Sequence, residues 1–349
     1  MKISTVLSYA GGFTEAADAV VEQERAGLDL VWVPEAYGFD SPSLIGYLAA
    51  RTTTVELGTG ILPIYTRTPT LIAMTAAGID TLSGGRFHLG LGASGPQVIE
   101  GFHGVPFRAP IARTLDVIDV CHQVWARDEP LRFNGRQVTV PLPPDQGTGF
   151  GKPLKLLTHP LRPRIPIWVA ALGDHNVEAA AASADGWLPM LFIPERAAAV
   201  WGDALARGVA RRDPALSPLV VSAGGPLAIG DGPEVVAARE TIRAHVALYA
   251  GGMGARNKNF YNDVLRRAGF EEAAARIADL YLDGKKAEAA AAVPDEVVEG
   301  LTLCGPRSYV QERIAAYREA GVTHLQVQPV PTGDQRAVDL IALVKQLAS

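Results

Sequence analysis

Short apolar, β-branched runs alternate with alanine-rich stretches of helical period along the whole chain. Residues 2–8 read as a strand, and residues 14–26 carry a helical pattern that stops at Gly27. The run LDLVWV at 28–33 is apolar on both faces, as a strand covered on both sides of a parallel sheet must be. A helix is predicted over 41–51, with Ser41 as its N-cap and Pro42 in its first turn, followed by strand 55–60, helix 70–82 and strand 86–91. The same rhythm returns with strands at 167–171, 186–191, 219–229 and 324–328, and helices at 176–184, 195–211, 234–250 and 335–347. Eight strands, each followed by helical sequence, predict an α/β fold in which a parallel sheet closes into one (β/α)8 TIM barrel over residues 1–349. No linker-like break in composition divides the chain into two doubly wound halves.

Two segments exceed a minimal barrel. Residues 129–159 are rich in proline and glycine, and LRFNGRQVTV within them reads as a hairpin turning at Asn134 and Gly135. Residues 251–306 insert helices over 259–268, 271–282 and 295–300 before the last strand. Insertions on the loops of a barrel's catalytic face shape a substrate pocket.

Composition narrows the function. With 48% hydrophobic and 20% charged residues, the chain can bury a large core and is not disordered. A formal net charge of −5, with both signs interspersed, lacks the basic excess of a nucleic-acid binder. Apolar stretches stay well short of the roughly 20 residues of a membrane span, and MKISTVLSYAGG does not read as a signal peptide. Two cysteines, Cys121 and Cys304, make no disulfide framework, and no Cys/His spacing resembles a metal site. A soluble cytoplasmic enzyme is expected.

Candidate chemistry gathers at the strand exits. Gly90-x-Gly92-x-x-Gly95 follows the fourth strand and matches a dinucleotide fingerprint, but Pro96, Gly101, Gly104 and Pro106 come next and the following helical pattern begins only near Arg108. A glycine-rich strand end that a flat ring approaches is the better reading. In GTGILPIYTRTP, residues 58–69, Gly58 and Gly60 mark a bulge or the close approach of a ligand, and Tyr65, Thr66 and Arg67 stand where a loop leaves the barrel mouth. A corner kink with a solvated arginine explains the same residues. Glu35, just past the second strand, is a candidate ring contact or proton-handling group, or else a helix-capping or salt-bridged carboxylate. AALGDHN at 170–176 sets a glycine turn at a helix N-terminus, a ready anion site; Asp174 as N-cap accounts for it as well. His103 lies in the loop after the fourth strand. Arg256 and Lys258 either neutralise an anionic tail or face water beyond a helix end at Gly251 and Gly252.

Taken together, VWVPEAYGFD, LGTGILPIYTRTP, LSGGRFHLGLGASGPQVIEGFHGVPF, GKPLKLLTHP, ADGWLP and GGMGARNKNFYNDVLRRAGF resemble the luciferase-like monooxygenase superfamily over essentially the whole chain. Within it the chain is similar to the coenzyme F420 (deazaflavin)-dependent oxidoreductases of the methylene-tetrahydromethanopterin reductase type. The resemblance implies a (β/α)8 barrel with insertions and a non-prolyl cis peptide between Gly60 and Ile61 that supports a tricyclic ring. It implies a ring contact at Glu35 and a cofactor phosphate over Ala93, Ser94 and Gly95 and over Ala171, Leu172 and Gly173. Asn176 belongs to the same cofactor-binding set, and Ser8 and Tyr9 line the pocket.

Two departures bear on the reaction. Deazaflavin sugar-phosphate dehydrogenases carry a histidine after the strand-two acid and a glutamate in the strand-four loop; Ala36 and Pro96 or Gln97 stand there in this chain. Alcohol oxidation needs a base for the hydroxyl proton. The expected reaction is therefore hydride transfer from reduced deazaflavin to a C=C or C=N bond, with Glu35, Tyr65, His103 or water supplying any proton. An FMN-dependent monooxygenase and a non-catalytic cofactor-binding barrel are the alternatives. A small-molecule or modified-peptide substrate and a homodimer are the expected partners.

Overall fold

The chain is described by a computed structural model over residues 1–8, 12–254 and 258–349. Among the described residues, eight parallel strands close a ring: β1 (Lys2–Val6), β2 (Leu30–Val33), β3 (Glu56–Thr59), β4 (Phe87–Gly92), β5 (Ile167–Ala170), β6 (Gly186–Leu188), β7 (Val220–Ile229) and β8 (His324–Pro329). Each pairs with the next, and β8 returns to β1 with Lys2 opposite His324. These are the eight strands read from the sequence; most are trimmed by one to three residues, while β4 is shifted by one and β8 runs one residue longer.

The barrel is filled rather than hollow. Trp32 and Trp168 meet edge to face inside it, ring centroids 5.1 Å apart, with Leu30, Val6, Leu188 and Val220 around them. Glycines make the room: a Cβ on Gly58 would lie 2.4 Å from the Trp32 ring, and one on Gly186 would lie 2.1 Å from that of Trp168. Where the strands begin, Lys2 bridges to Glu56 at 2.8 Å, Glu56 lies 3.5 Å from His88, and the Trp168 indole N–H donates to His88 at 2.9 Å. This polar chain closes the floor of the barrel and leaves the opposite end, where the strands exit, as the open mouth. Helices cover the outside, burying apolar residues against the strands in one continuous core.

Several local expectations change. Asp40, not Ser41, caps helix Ser41–Arg51 by accepting from the Ser43 amide at 3.2 Å, because Ser41 already lies in the first turn. The hairpin forms, Phe133–Asn134 against Thr139–Val140, but its turn spans residues 135–138, further along than Asn134 and Gly135. The Asp116 carboxylate collects the turn amides of Arg136, Gln137 and Val138 and so fixes the register. The second insertion holds helices Phe260–Arg267, Glu271–Leu282 and Asp295–Gly300, close to the expected bounds. It also holds a short helix, Lys286–Ala291, and a strand, Leu303–Gly305, that extends the sheet beside the end of β7.

Candidate active site

The exit of β2 is built around one carboxylate. Glu35 is buried, and Arg67 donates to both its oxygens, at 2.7 and 2.9 Å, while the Ser41 amide donates at 3.0 Å. The salt-bridged reading of Glu35 is the one the geometry gives, and Arg67 is no solvated arginine. Ala36 then turns the chain in the left-handed region, at φ 46°. Ser94 after β4 and Leu191 after β6 do the same, at φ 60° and 54°. Non-glycine residues in this region mark backbone held by its surroundings, and all three follow strand exits at the mouth.

At the end of β3 the Gly60–Ile61 peptide is cis. The Thr59 hydroxyl replaces a ladder contact, donating to the Gly90 carbonyl and accepting from the Gly90 amide, each at 2.8 Å. The chain then resumes pairing with β4 through Leu62 and Pro63. This bulge explains the first two glycines of the fingerprint. A Cβ on Gly90 would fall 1.9 Å from the Thr59 carbonyl oxygen, and one on Gly92 would fall 2.9 Å from the Ile61 side chain. They admit a neighbouring strand rather than a nucleotide phosphate. A helix does open directly after the motif, Pro96–Gly101, which corrects the expectation of none before residue 108.

The exit of β5 has its carbonyls taken from behind. Trp187 donates its indole N–H to Ala171 O, and Trp201 donates to Leu172 O, both at 2.9 Å. Arg267 donates to Leu172 O at 2.7 Å as well. Helix Asp174–Ser183 follows with Gly173 as its N-cap, so Asp174 is its first residue rather than the cap, and its carboxylate pairs with Arg267 instead. Ala93 from the β4 exit and Asn176 line one small void of about 20 Å³ between these loops and helix Pro110–Ala126. The first turn of a helix leaves its N–H groups without intrahelical partners. The Gly173–Asn176 stretch therefore leaves its amides without intrahelical partners at the β5 exit.

The three proposed proton donors part company here. Glu35 and His103 line one cleft of about 260 Å³, with Ala36, Tyr37, Thr66, Arg67 and Phe102. Tyr65 does not line it. Its hydroxyl donates to the Arg108 carbonyl at 2.7 Å, its ring packs against Phe107 and the Arg113 guanidinium, and burial pushes its phenol above the usual range. Nε2 of His103 is buried and has no partner among the described residues. Tyr37 and Phe102 stand at the rim, 61% and 67% exposed, with ring centroids 6.3 Å apart. Ser8 is exposed at the end of β1, and Lys258 is exposed; Tyr9 and Arg256 lie outside the described residues. Among the described residues no His, Cys, Asp and Glu side chains gather in a metal-binding group.

Sequence reasoning missed Thr59 and Arg267. Thr59 announces itself only as the residue between two glycines of LGTG. Arg267 lies inside GGMGARNKNFYNDVLRRAGF, a stretch that carries the family resemblance but whose sequence does not show this contact.

The family model described as luciferase-like monooxygenase matches residues 1–324. A Mycobacterium tuberculosis protein provisionally named a coenzyme F420-dependent oxidoreductase is 40% identical over 99% of both chains. An Archaeoglobus fulgidus 5,10-methylenetetrahydromethanopterin reductase is 25% identical, over 91% of this chain and 90% of that one. The solved coenzyme F420-dependent tetrahydromethanopterin reductase of Methanopyrus kandleri superposes with a TM-score of 0.78, covering 99% of this chain and 97% of the other at 24% identity. That likeness establishes the luciferase-like (β/α)8 fold.

Proposed function

This chain belongs to the luciferase-like monooxygenase family, and on that premise we propose that it is a coenzyme F420-dependent oxidoreductase reducing a C=C or C=N bond of an organic substrate. The observation that most supports it is the loop after β5, whose Ala171 and Leu172 carbonyls are taken by Trp187 and Trp201 and which runs directly into a helix N-terminus at Gly173. Amides at a helix N-terminus suit the phosphate of a cofactor tail. Beside them, the Gly60–Ile61 edge and the wall formed by Glu35 and Arg67 suit a flat ring system, so the residues present fit the group.

When bound, reduced deazaflavin supplies the hydride. The chain's own part is orientation and proton handling. Glu35, already accepting from Arg67 and Ser41, serves as a hydrogen-bond acceptor for the ring rather than as an acid. Tyr65 has its hydrogen committed to Arg108. His103 lines the cleft, and its buried Nε2 has no partner among the described residues, so it is the group assigned to deliver the proton. Ala36 and Pro96 carry no base, and Gln97 folds its side chain over Gly95, its oxygen 3.1 Å from where a Cβ would sit there. Reduction of a double bond needs no base for an alcohol proton; oxidation of an alcohol does.

Tyr37 and Phe102 give the substrate an aromatic rim, which suits a small molecule or a modified peptide with an apolar part. Two further elements belong to the proposal. Leu71 and Met74, one turn apart and about half exposed on helix Pro69–Leu82, suit a homodimer. The unpaired, buried Cys121 and Cys304 suit the cytoplasm.

The test is anaerobic mixing of the protein and reduced F420 with a panel of enones and imines. Return of the oxidised cofactor's absorbance with at least one substrate is expected. Oxygen consumption with reduced FMN, and no turnover with F420, would replace this reading with the FMN monooxygenase.

A further inference from the structure

We infer that Arg267 is a positioning residue for the cofactor's phosphate, reaching it through the β5 loop from the second insertion; this rests on the reading that the loop holds that phosphate. The helix carrying Arg267 is fixed by two buried asparagines. Asn259 accepts from the amides of Tyr261 and Asn262, at 2.9 and 3.1 Å, and donates to the carbonyls of Tyr249 and Ala250. Asn262 donates to Ala250 O and Ala274 O, at 2.9 and 2.7 Å, and accepts from Arg266. With both side-chain amides so engaged, helix Phe260–Arg267 cannot rotate without breaking buried hydrogen bonds, and its last residue is aimed at the barrel.

There Arg267 donates to Leu172 O at 2.7 Å and to Val200 O at 2.9 Å, and pairs with Asp174. The carbonyl of Leu172 and the amide of Gly173 share one peptide plane, and a trans peptide points them to opposite sides. Arg267 and Trp201 pull the carbonyl inward, so the Gly173 N–H is held outward. A Cβ on Gly173 would meet nothing within 4 Å, so the space beside its Cα is open as well. Asp174 puts a negative charge on the first residue of the helix, where it would repel an anion. Arg267 neutralises it. One side chain thus orients the donor and removes the repulsion.

The experiment titrates F420, and a deazaflavin riboside lacking the phosphate, onto the full-length protein and the variants Arg267→Met, Arg267→Lys and Arg267→Met/Asp174→Asn, following ligand fluorescence. The wild type is expected to bind F420 more tightly than the riboside. Arg267→Met weakens F420 binding about tenfold and leaves riboside binding within about twofold. Arg267→Lys loses less, and the double variant regains part of the loss. Equal weakening of both ligands, as a merely structural role would give, overturns the inference, and so does unchanged F420 binding in both single variants. If Arg267→Met does not fold, the Arg267→Lys titration decides on the same criterion. A wild type that binds neither ligand, or binds both equally, overturns the phosphate reading itself and this inference with it.

Discussion

Arg67 holds both carboxylate oxygens of Glu35, at 2.7 and 2.9 Å, across 32 residues of sequence. The pair ties the β2 exit to the loop beyond the β3 bulge, and the Ser41 amide joins it at 3.0 Å. The side chains are 16% and 8% exposed, so neither charge has much access to water in place of its partner.

Removing one member of a buried ion pair leaves the other uncompensated, at a cost of about 3–5 kcal/mol. Arg67→Met should therefore lower the unfolding free energy in urea by about 3 kcal/mol, with part restored in Arg67→Met/Glu35→Gln. A single variant as stable as wild type would mean that the pair does not form.

His103 lines the same cleft as Glu35, and its buried Nε2 has no partner among the described residues. If it delivers the proton, His103→Gln should lower kcat about a hundredfold, within the range of general acid catalysis, while cofactor affinity changes by less than about twofold. An unchanged kcat would move that role to water.

The fold was largely legible from period alone, because eight buried strands and their helices each repeat a pattern long enough to count. Helix Pro96–Gly101 and strand Leu303–Gly305 were not: six and three residues are too few to establish a period. Caps were misplaced by one residue at Ser41 and Asp174, where the polar side chain beside the true cap carries the same signal. The candidate site was legible as a set of positions at strand exits. Its pairings were not, because Glu35 with Arg67 and Arg267 with Leu172 are contacts between distant segments. The second lies 95 residues apart and exists only once the insertion docks on the barrel.

The barrel floor predicts two steps of acid sensitivity. Burial first, then the charges of Lys2 and His88, depress His324 from 6.5 to about 4. Burial alone would raise the Glu56 carboxyl, but hydrogen bonds and charge from His88 and Lys2 prevail and hold it at about 2 against 4.5. Unfolding lets His324 take up a proton more readily, so stability present above pH 6.5 declines toward pH 4. Glu56 stabilises the fold above pH 4.5, and that contribution is lost as the pH falls toward 2. His122, depressed by burial to about 4, shares the first window. In urea unfolding across this pH range, His324→Gln should flatten the upper slope in part and Glu56→Gln the lower one. Parallel profiles for all three proteins would contradict the assignment.

Which ring system the barrel mouth takes is tested most directly by a paired equilibrium titration of the purified protein with F420 and FMN, followed by fluorescence. Saturable F420 binding with FMN binding at least about tenfold weaker is the predicted result, a difference of about 1.4 kcal/mol. Tight FMN binding with no F420 affinity would contradict it.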